Sequence, residues 1–369
     1  MSSVKQDYKN LAERLISIYA SNTLEQAKKA PRDMMSYRLR KLPQNARQLY
    51  ETILGMSNIM DKYKDPLDMN TVLDTIDLAS IYENVDKRER ENGPHSELQY
   101  DDLVVKELLH YFKNSFFKWV NKPECPLCHS ESNVVGLGGS RFSGSSNPDQ
   151  VSVVENYQCR ECNSRIQFPR VNNPVSLLKT RRGRCGEWVN CFTLILRAMI
   201  AEDRDRVRYV WNMEDHVWCE YYSYGLKRWV HLDPCEAVFD EPLLYCNNWN
   251  KKMSFVIGYN DNYIIDLSSK YITDSNQIDK STIIPSLKQL SRFINAINCN
   301  KLLRYYKCLD TASQDEKLTK CYNDVIVVLN RELLQLKDHK VTPTMTQELP
   351  KGRQTGSSEW TKERGEDGN

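Results

Sequence analysis

The 369-residue chain has no apolar run approaching the roughly 20 residues needed to cross a bilayer as a helix. Its first residues, Met1-Ser2-Ser3-Val4-Lys5-Gln6-Asp7, are too polar for a secretory signal, so membrane insertion and export are not expected. No charge of one sign dominates either. With 51 basic and 49 acidic residues the formal charge is +2, which gives no global pull toward nucleic acid or an anionic membrane. The glycine-rich stretch at 136–148 lacks the Gly-Lys-Ser/Thr ending of a phosphate-binding loop, which excludes nucleotide binding there. Internal repeats and heptads are missing as well. What is there is enough chain for one large core or two modest ones, and twelve cysteines.

One cysteine stands apart. Cys185 sits in Gly183-Arg184-Cys185-Gly186-Glu187-Trp188, just before a run with buried-helix character (Trp188, Cys191, Phe192, Ile195, Leu196, Met199). Glycines on both sides permit a tight approach to that helix. At a helix N-terminus, unpaired N–H groups and the dipole favour thiolate, and the basic run Lys179–Arg184 adds to that. By contrast Cys191, Cys219, Cys235, Cys246, Cys299, Cys308 and Cys321 read as small hydrophobes packing in the core.

Downstream, strand-forming runs at 207–211, 217–222 and 229–233 form an antiparallel meander with Gly225 in a loop. His216 and Asp233 fall on neighbouring strands of it, where their side chains can face one another. Cysteine, histidine and aspartate in that order are the parts of a nucleophile, a general acid/base and the group orienting it. His231 alternates with its strand neighbours and is given no catalytic role.

Cys125-Pro126-Leu127-Cys128 and Cys159-Arg160-Glu161-Cys162 are paired knuckles with the spacing of one structural zinc site, four thiolates closing the shell. A redox motif needs only one such pair, and disulfides suit a secreted chain. His129 adjoins Cys128 but is surplus to four ligands. The glycine-rich segment between the knuckles supplies the slack to bring them together.

Around these blocks, Tyr8, Leu11, Leu15 and Ile18 or Tyr19 stripe an N-terminal helix. Residues 33–63 read as helical, about 86–93 as a loop or disordered connector, and 101–120 as a strong helix running to the first knuckle. Strands at 253–259 and 263–266 precede helices at 285–309 and 315–336. The divisions are 1–95 (helical), 96–180 (helix and four-cysteine subdomain), 181–275 (catalytic core), 276–338 (helices) and 339–369, a polar tail expected to be disordered. Cysteine usage fits a reducing compartment, the cytoplasm with the nucleus as a second location.

GRCGEW at 183–188, NCFTL at 190–194, RYVW at 208–211, DHVW at 215–218 and RWVHLDPCE at 228–236 closely resemble the cytoplasmic peptide:N-glycanase family, within the transglutaminase-like superfamily. The resemblance is strong over 100–275, and the whole chain is similar to the short fungal form, without the extra terminal domains of the animal enzymes. It implies an α+β fold: a transglutaminase-like (papain-like) core with a four-cysteine zinc-binding subdomain and flanking N- and C-terminal helices. Position by position it makes Cys185 the nucleophile, His216 the general acid/base, Asp233 its partner and Glu236 a sugar contact. The segment 201–206 looks longer than usual by about a turn. Substrates implied are denatured N-glycoproteins, recognised through the glycan's chitobiose core. Partners implied are a ubiquitin-receptor shuttle of the nucleotide-excision-repair family, reached through the N-terminal helix (Tyr8, Leu11, Leu15), and the proteasome. Indole faces stack on sugars, so Trp218 and Trp229, with Glu220 and Glu236 for hydroxyls, are further binding candidates. Backbone N–H groups at the start of the cysteine helix are the expected oxyanion donors, with Trp188 a lesser candidate. Two readings compete with the amidase: another thiol enzyme on the same triad (transglutaminase or cysteine protease), and a catalytically silent glycoprotein scaffold.

Overall fold

A computed structural model describes residues 2–29, 39, 42–92, 97–200, 205–338 and 350–369. The fold is α+β and divides into two units, residues 1–59 with 253–342 and residues 60–252 with 343–369. All the candidate catalytic and metal-ligating residues lie in the second.

In the first unit the helix Ser2–Lys29 buries Ala20, Leu24 and Ala27 against Leu302 and Leu303 of the helix Leu287–Cys308, and against Leu318, Cys321, Val325 and Ile326. Its other face leaves Tyr8 69%, Leu11 53% and Leu15 58% exposed, an apolar stripe without cover in the unit. Strands Val256–Tyr259 and Ile264–Asp266 form a hairpin, and Asn298 bonds both the N–H (2.8 Å) and the C=O (2.9 Å) of Ile264.

The second unit is organised by the helix that Cys185 begins. Before it come α1 (Pro66–Thr75), α2 (Leu78–Asn92), α3 (Tyr100–Tyr111) and α4 (Pro174–Thr180); α5 is Cys185–Met199. Helix α5 is buried nearly all round because it packs against α1 and α4 on one side and strands β6 (Val207–Asn212) and β7 (His216–Ser223) on the other. That double cover explains its apolar composition. Among its polar groups, Asn190 accepts from Tyr63 Oη (2.7 Å) and donates to the carbonyl of Asn172 (2.8 Å). β7 continues through β8 (Arg228–Asp233) and β9 (Val238–Phe239) as an antiparallel meander in sequence order.

The four-cysteine subdomain contains a three-stranded sheet of β2 (Val134–Arg141), β3 (Val153–Cys159) and β4 (Arg165–Pro169). The first part of the glycine-rich segment, to Arg141, is therefore strand: Gly136, Gly138 and Gly139 pair with β3, with a bulge between Gly136 and positive-φ Gly138. A short parallel pair, β1 (Lys118–Trp119) with β5 (Arg182–Gly183), ties the start of this subdomain to the approach of α5.

Other expectations change. Residues 86–92 are helical, since α2 is held to α3 where Arg88 (2.8 Å) and Asn84 (2.9 Å) donate to the buried carboxylate of Glu107. Helix α3 stops at Tyr111, where a wider turn over Phe112–Phe116 lets the chain straighten into β1. The expected helix over 33–63 is described only in part, as a helix at Gln44–Met56 and a short one at Ile59–Tyr63. Of the 201–206 segment, 201–204 lie outside the described residues; Arg206 donates to the carbonyl of Tyr222 (2.9 Å) and to Asp101 (3.1 Å).

The largest difference is at the C-terminus. Residues 339–349 lie outside the described residues, but 350–369 form a packed segment with a short helix, α6 (Ser358–Glu363), and buried Arg353, Thr355, Thr361 and Glu366. Charged groups that read as solvated in a polar sequence are here paired and buried.

Candidate active site

The approach to α5 is shaped by close packing. A Cβ on Gly183 would lie 2.4 Å from Glu187 Cβ, so only glycine lets Glu187 fold back to accept the N–H of Arg184 (3.1 Å) and cap the helix. Glu187 is held in turn by a two-pronged bond from Arg170, at 2.6 and 2.9 Å. Arg184 is turned away from solvent: it donates to both oxygens of Glu155 (3.0 and 2.8 Å) and to the carbonyls of Val120 and Asn121. The basic residue next to Cys185 thus locks β3 to the head of α5.

Cys185 is the first residue of α5 and is buried. A residue with positive φ, Asp215, ends the β6–β7 turn and delivers His216 as the first residue of β7. Opposite pairing of Cys219 with Leu232 places Asp233 across from Trp218, so His216, two residues away on the same face, is its diagonal neighbour. His216 Nε2 stands 3.0 Å from Asp233 Oδ2; Nδ1 makes no hydrogen bond, and the Cys185 thiol is close enough for the two groups to shift one another. The structure therefore brings all three candidates into one buried line.

Asp233 is ionised despite its burial. It accepts from His216 and from Tyr245 Oη (3.0 Å) on Oδ2, and from the N–H groups of Cys235 (2.9 Å) and Glu236 (3.3 Å) on Oδ1. Burial pushes this carboxyl up, but these bonds and the His216 charge hold it well below the usual carboxylate range. For His216, burial pushes down and the interactions with Asp233 and Cys185 win, raising it. For Cys185, burial pushes up, and the proximity and charge of His216, then Arg353 and Arg364, bring it below an ordinary thiol. Both shifts favour a thiolate beside an imidazolium.

The other candidates divide. Glu236 borders a cleft of about 540 Å³ also lined by Lys113, Arg228, Asp240, Glu241 and Trp249. Glu220 does not reach it: the side chain is fully buried in an ion pair with Arg208. Arg208 also lies over the Trp229 ring, 4.1 Å from its centroid, and Trp218 is sealed in the core, 4.5 Å from the ring of Tyr245. None of these three presents a sugar-stacking or hydroxyl-binding face. Trp188 spends its indole N–H on the carbonyl of Gly183 (3.2 Å) and has none to offer an oxyanion.

Several residues of the site were missed. Tyr245 bonds Asp233 and stands 2.7 Å from His231 Nε2, so the histidine left without a role supports the aspartate through it. Trp249 packs against His216 at 5.3 Å. Arg353, Arg364 and Glu366 come from the segment read as a disordered tail, where lone Trp360 was the one hint of packing.

The four knuckle cysteines converge. Their sulfurs lie within 4.8 Å of one another, Cys125 3.5 Å from Cys162 and Cys159 3.9 Å from Cys128. Those spacings bracket the roughly 3.8 Å edge of a tetrahedron with zinc–sulfur bonds of about 2.3 Å, so the cluster fits a closed four-thiolate metal site. The residue after each pair's turn, His129 and Asn163, has positive φ, giving the two knuckles the same bend. His129 itself is exposed and pairs with Glu124 at 3.0 Å.

Comparison with known proteins agrees with this architecture. The transglutaminase-like superfamily matches residues 141–234, and the Rad4 transglutaminase-like domain matches 202–317. Peptide-N(4)-(N-acetyl-beta-glucosaminyl)asparagine amidase of Debaryomyces hansenii is 48% identical over 99% of this chain and 98% of its own. That of Candida albicans is 46% identical over 100% of this chain and 98% of its own, and that of Caenorhabditis elegans 33% identical over 87% of this chain and 50% of its own. Among solved structures, a chain of the crystal structure of Rad4-Rad23 bound to a 6-4 photoproduct UV lesion aligns at a TM-score of 0.45 and 11% identity, covering 84% of this chain and 61% of that one.

The buried pair makes stability depend on pH in a defined way. The depressed Asp233 contributes stability present above about pH 4 and lost below it; the raised His216 contributes stability present below about pH 6.5 and lost as pH rises through its raised value. Asp233→Asn should therefore lower the melting temperature most between about pH 4 and 6.5, with a narrowing gap on either side. Thermal unfolding from about pH 3 to 9 checks this, and a gap independent of pH would sink the assignment of charges.

Proposed function

The chain belongs to the peptide-N(4)-(N-acetyl-beta-glucosaminyl)asparagine amidases, a family of hydrolases, and we propose that it cleaves the β-aspartyl-glucosamine amide of N-linked glycans through a Cys185 thioester. The observation that carries this reading is the buried grouping of Cys185, His216 and Asp233 at the head of α5, next to Trp249 and Glu236, which line a cleft. The Cys185 thiolate adds to the side-chain carbonyl of the glycosylated asparagine, forming a C–S bond and an oxyanion. N–H groups at the start of α5 face that oxygen. Beside Gly186 there is room for it, since a Cβ there would meet nothing nearer than Arg170 at 4.0 Å. His216, as imidazolium, gives its proton to the glycosylamine nitrogen and the C–N bond breaks. It then takes a proton from water, whose hydroxide displaces the thiolate. The peptide keeps aspartate, and the released glycosylamine hydrolyses to free glycan and ammonia. Asp233 holds the imidazole charged and oriented throughout.

Glu236, at the edge of the cleft, is proposed to meet the innermost sugar, with the chitobiose core of the glycan in the cleft beyond. Substrates would be denatured N-glycoproteins undergoing disposal after export from the endoplasmic reticulum. A silent scaffold has no use for a buried ionised triad, which costs free energy to maintain.

The deciding experiment is mass spectrometry of a denatured glycopeptide after incubation. Intact glycan should be released, with asparagine converted to aspartate, by the wild type and not by Cys185→Ala. Backbone cleavage or lysine crosslinking would move the protein to another thiol chemistry, and no release by folded protein would favour the scaffold.

One zinc ion is proposed for the Cys125, Cys128, Cys159 and Cys162 cluster, where it would brace the subdomain and take no part in the chemistry. Purified protein should carry about one zinc per chain. A chelator should lower its melting temperature, and metal-free protein melting like the holoprotein would refute the site.

The exposed stripe of Tyr8, Leu11 and Leu15 is proposed to dock a ubiquitin-receptor shuttle of the nucleotide-excision-repair family and, through it, the proteasome, in the cytoplasm or nucleus. Twelve cysteines without a disulfide among them suit that setting. A fluorescent fusion of the full chain should be cytosolic or nuclear and co-purify the shuttle, and removing residues 1–25 should abolish co-purification; retention of the shuttle would overturn the docking site.

A further inference from the structure

The C-terminal segment is bound where the chemistry would take place. Arg353 is completely buried, its guanidinium between three indoles at 4.7 Å (Trp119), 5.2 Å (Trp249) and 4.9 Å (Trp360) from the ring centroids. Trp249 in turn lies against the His216 ring. Arg353 Nη1 donates to Glu366 at 2.9 Å, and its Nε stands 3.6 Å from Glu236, while Nη2 has no hydrogen-bond partner. Arg364 donates to both the carboxylate and the carbonyl of Asp215, the residue before His216. Buried Glu366 joins the two arginines to Lys251, 2.6 Å away. The segment also clasps Glu236: the N–H groups of Gln354 (3.3 Å) and Thr355 (3.0 Å) and the Thr355 hydroxyl all donate to its carboxylate.

A segment retained only for packing would not bury an arginine with unspent donors, because leaving them unpaired costs free energy. Nor is one needed to neutralise Glu366, which Lys251 and Arg364 already contact. We infer that Arg353 is a positioning residue of the catalytic centre, a cation brought by the C-terminal segment that holds Glu236 in place and stabilises the negative charge of Cys185. It acts through Trp249 and Glu236 and by its field rather than by touching the reacting atoms. The charges that bear most on the thiol agree: after His216 they are Arg353 and then Arg364. Groups facing Arg353 are Glu236, Glu366, Asp233, Cys185, Cys235, His216 and Lys251, with Glu366 itself pushed up by burial but pulled down to about 2 by Arg353, His216, Lys251 and Arg364.

The inference rests on the proposed role of Cys185, and its test separates the two. In the full chain, alkylation of Cys185 by iodoacetamide is followed against pH, peptide by peptide in the mass spectrometer, alongside glycopeptide turnover. Arg353→Met keeps a stem among the indoles and removes the charge. It should raise the alkylation midpoint by about one pH unit or more and lower kcat about tenfold, with KM within about threefold of wild type. A folded Met variant with the wild-type midpoint or the wild-type kcat overturns the inference, leaving Arg353 a structural clamp. Should that variant fail to fold, Arg353→Lys decides: a midpoint like wild type supports it, and a rise to that of an ordinary thiol overturns it, since the charge is kept. A wild type that alkylates at low pH but releases no glycan refutes the amidase reading alone.

Discussion

A single buried carboxylate organises the catalytic unit. Asp233 ends β8 at the point where two following N–H groups, from Cys235 and Glu236, turn back onto one oxygen, while His216 and Tyr245 take the other. Four donors offset the cost of removing a negative charge from water. Its charge favours the protonated form of His216, and a charged His216 in turn favours the thiolate of Cys185. The three groups are therefore biased in sequence, Asp233 acting on His216 and His216 on the Cys185 thiol.

The four-cysteine subdomain connects with this line through arginine. Arg184 and Arg170 join Glu155 of β3 to Glu187 of α5, so the knuckle sheet and the head of the catalytic helix share one ion-pair network. Only partly exposed, and two-pronged at Glu187 and Glu155, these pairs are geometrically specific in a way isolated surface bridges are not. A structural metal at the four sulfurs would thus have a route to the nucleophile that is mechanical: it steadies the strand that Arg184 grips.

Parts of this were legible in the chain and parts were not, for physical reasons. The cysteine knuckles were legible because ligand spacing within a turn is local. The meander was too, since alternation and turn residues act over a few positions. Helix α5 was legible from its apolar run, and the glycine before its cysteine from the tight approach it permits. The sugar-binding reading of Glu220, Trp218 and Trp229 went astray because side-chain direction in a strand depends on what covers each face. Arg208 claimed both Glu220 and Trp229, and nothing near either residue in sequence shows that. Residues 86–92 read as a connector because their stabilising partner, Glu107, lies on the next helix.

The sequence by itself determined the chemistry available: one cysteine at a helix start, a histidine and an aspartate on adjacent strands, four thiols in paired knuckles, and membership in an amidase family through its catalytic wording. These are matters of residue type and short spacing. Only the tertiary structure decided which charges reach the thiol. Arg353 and Glu366 are ordinary polar residues in a stretch with almost no aliphatics, and composition rightly predicts that such a stretch cannot bury a core of its own. It is ordered because indoles and carboxylates from distant parts of the chain receive it, and electrostatic complementarity over more than a hundred residues of separation has no signature in local sequence.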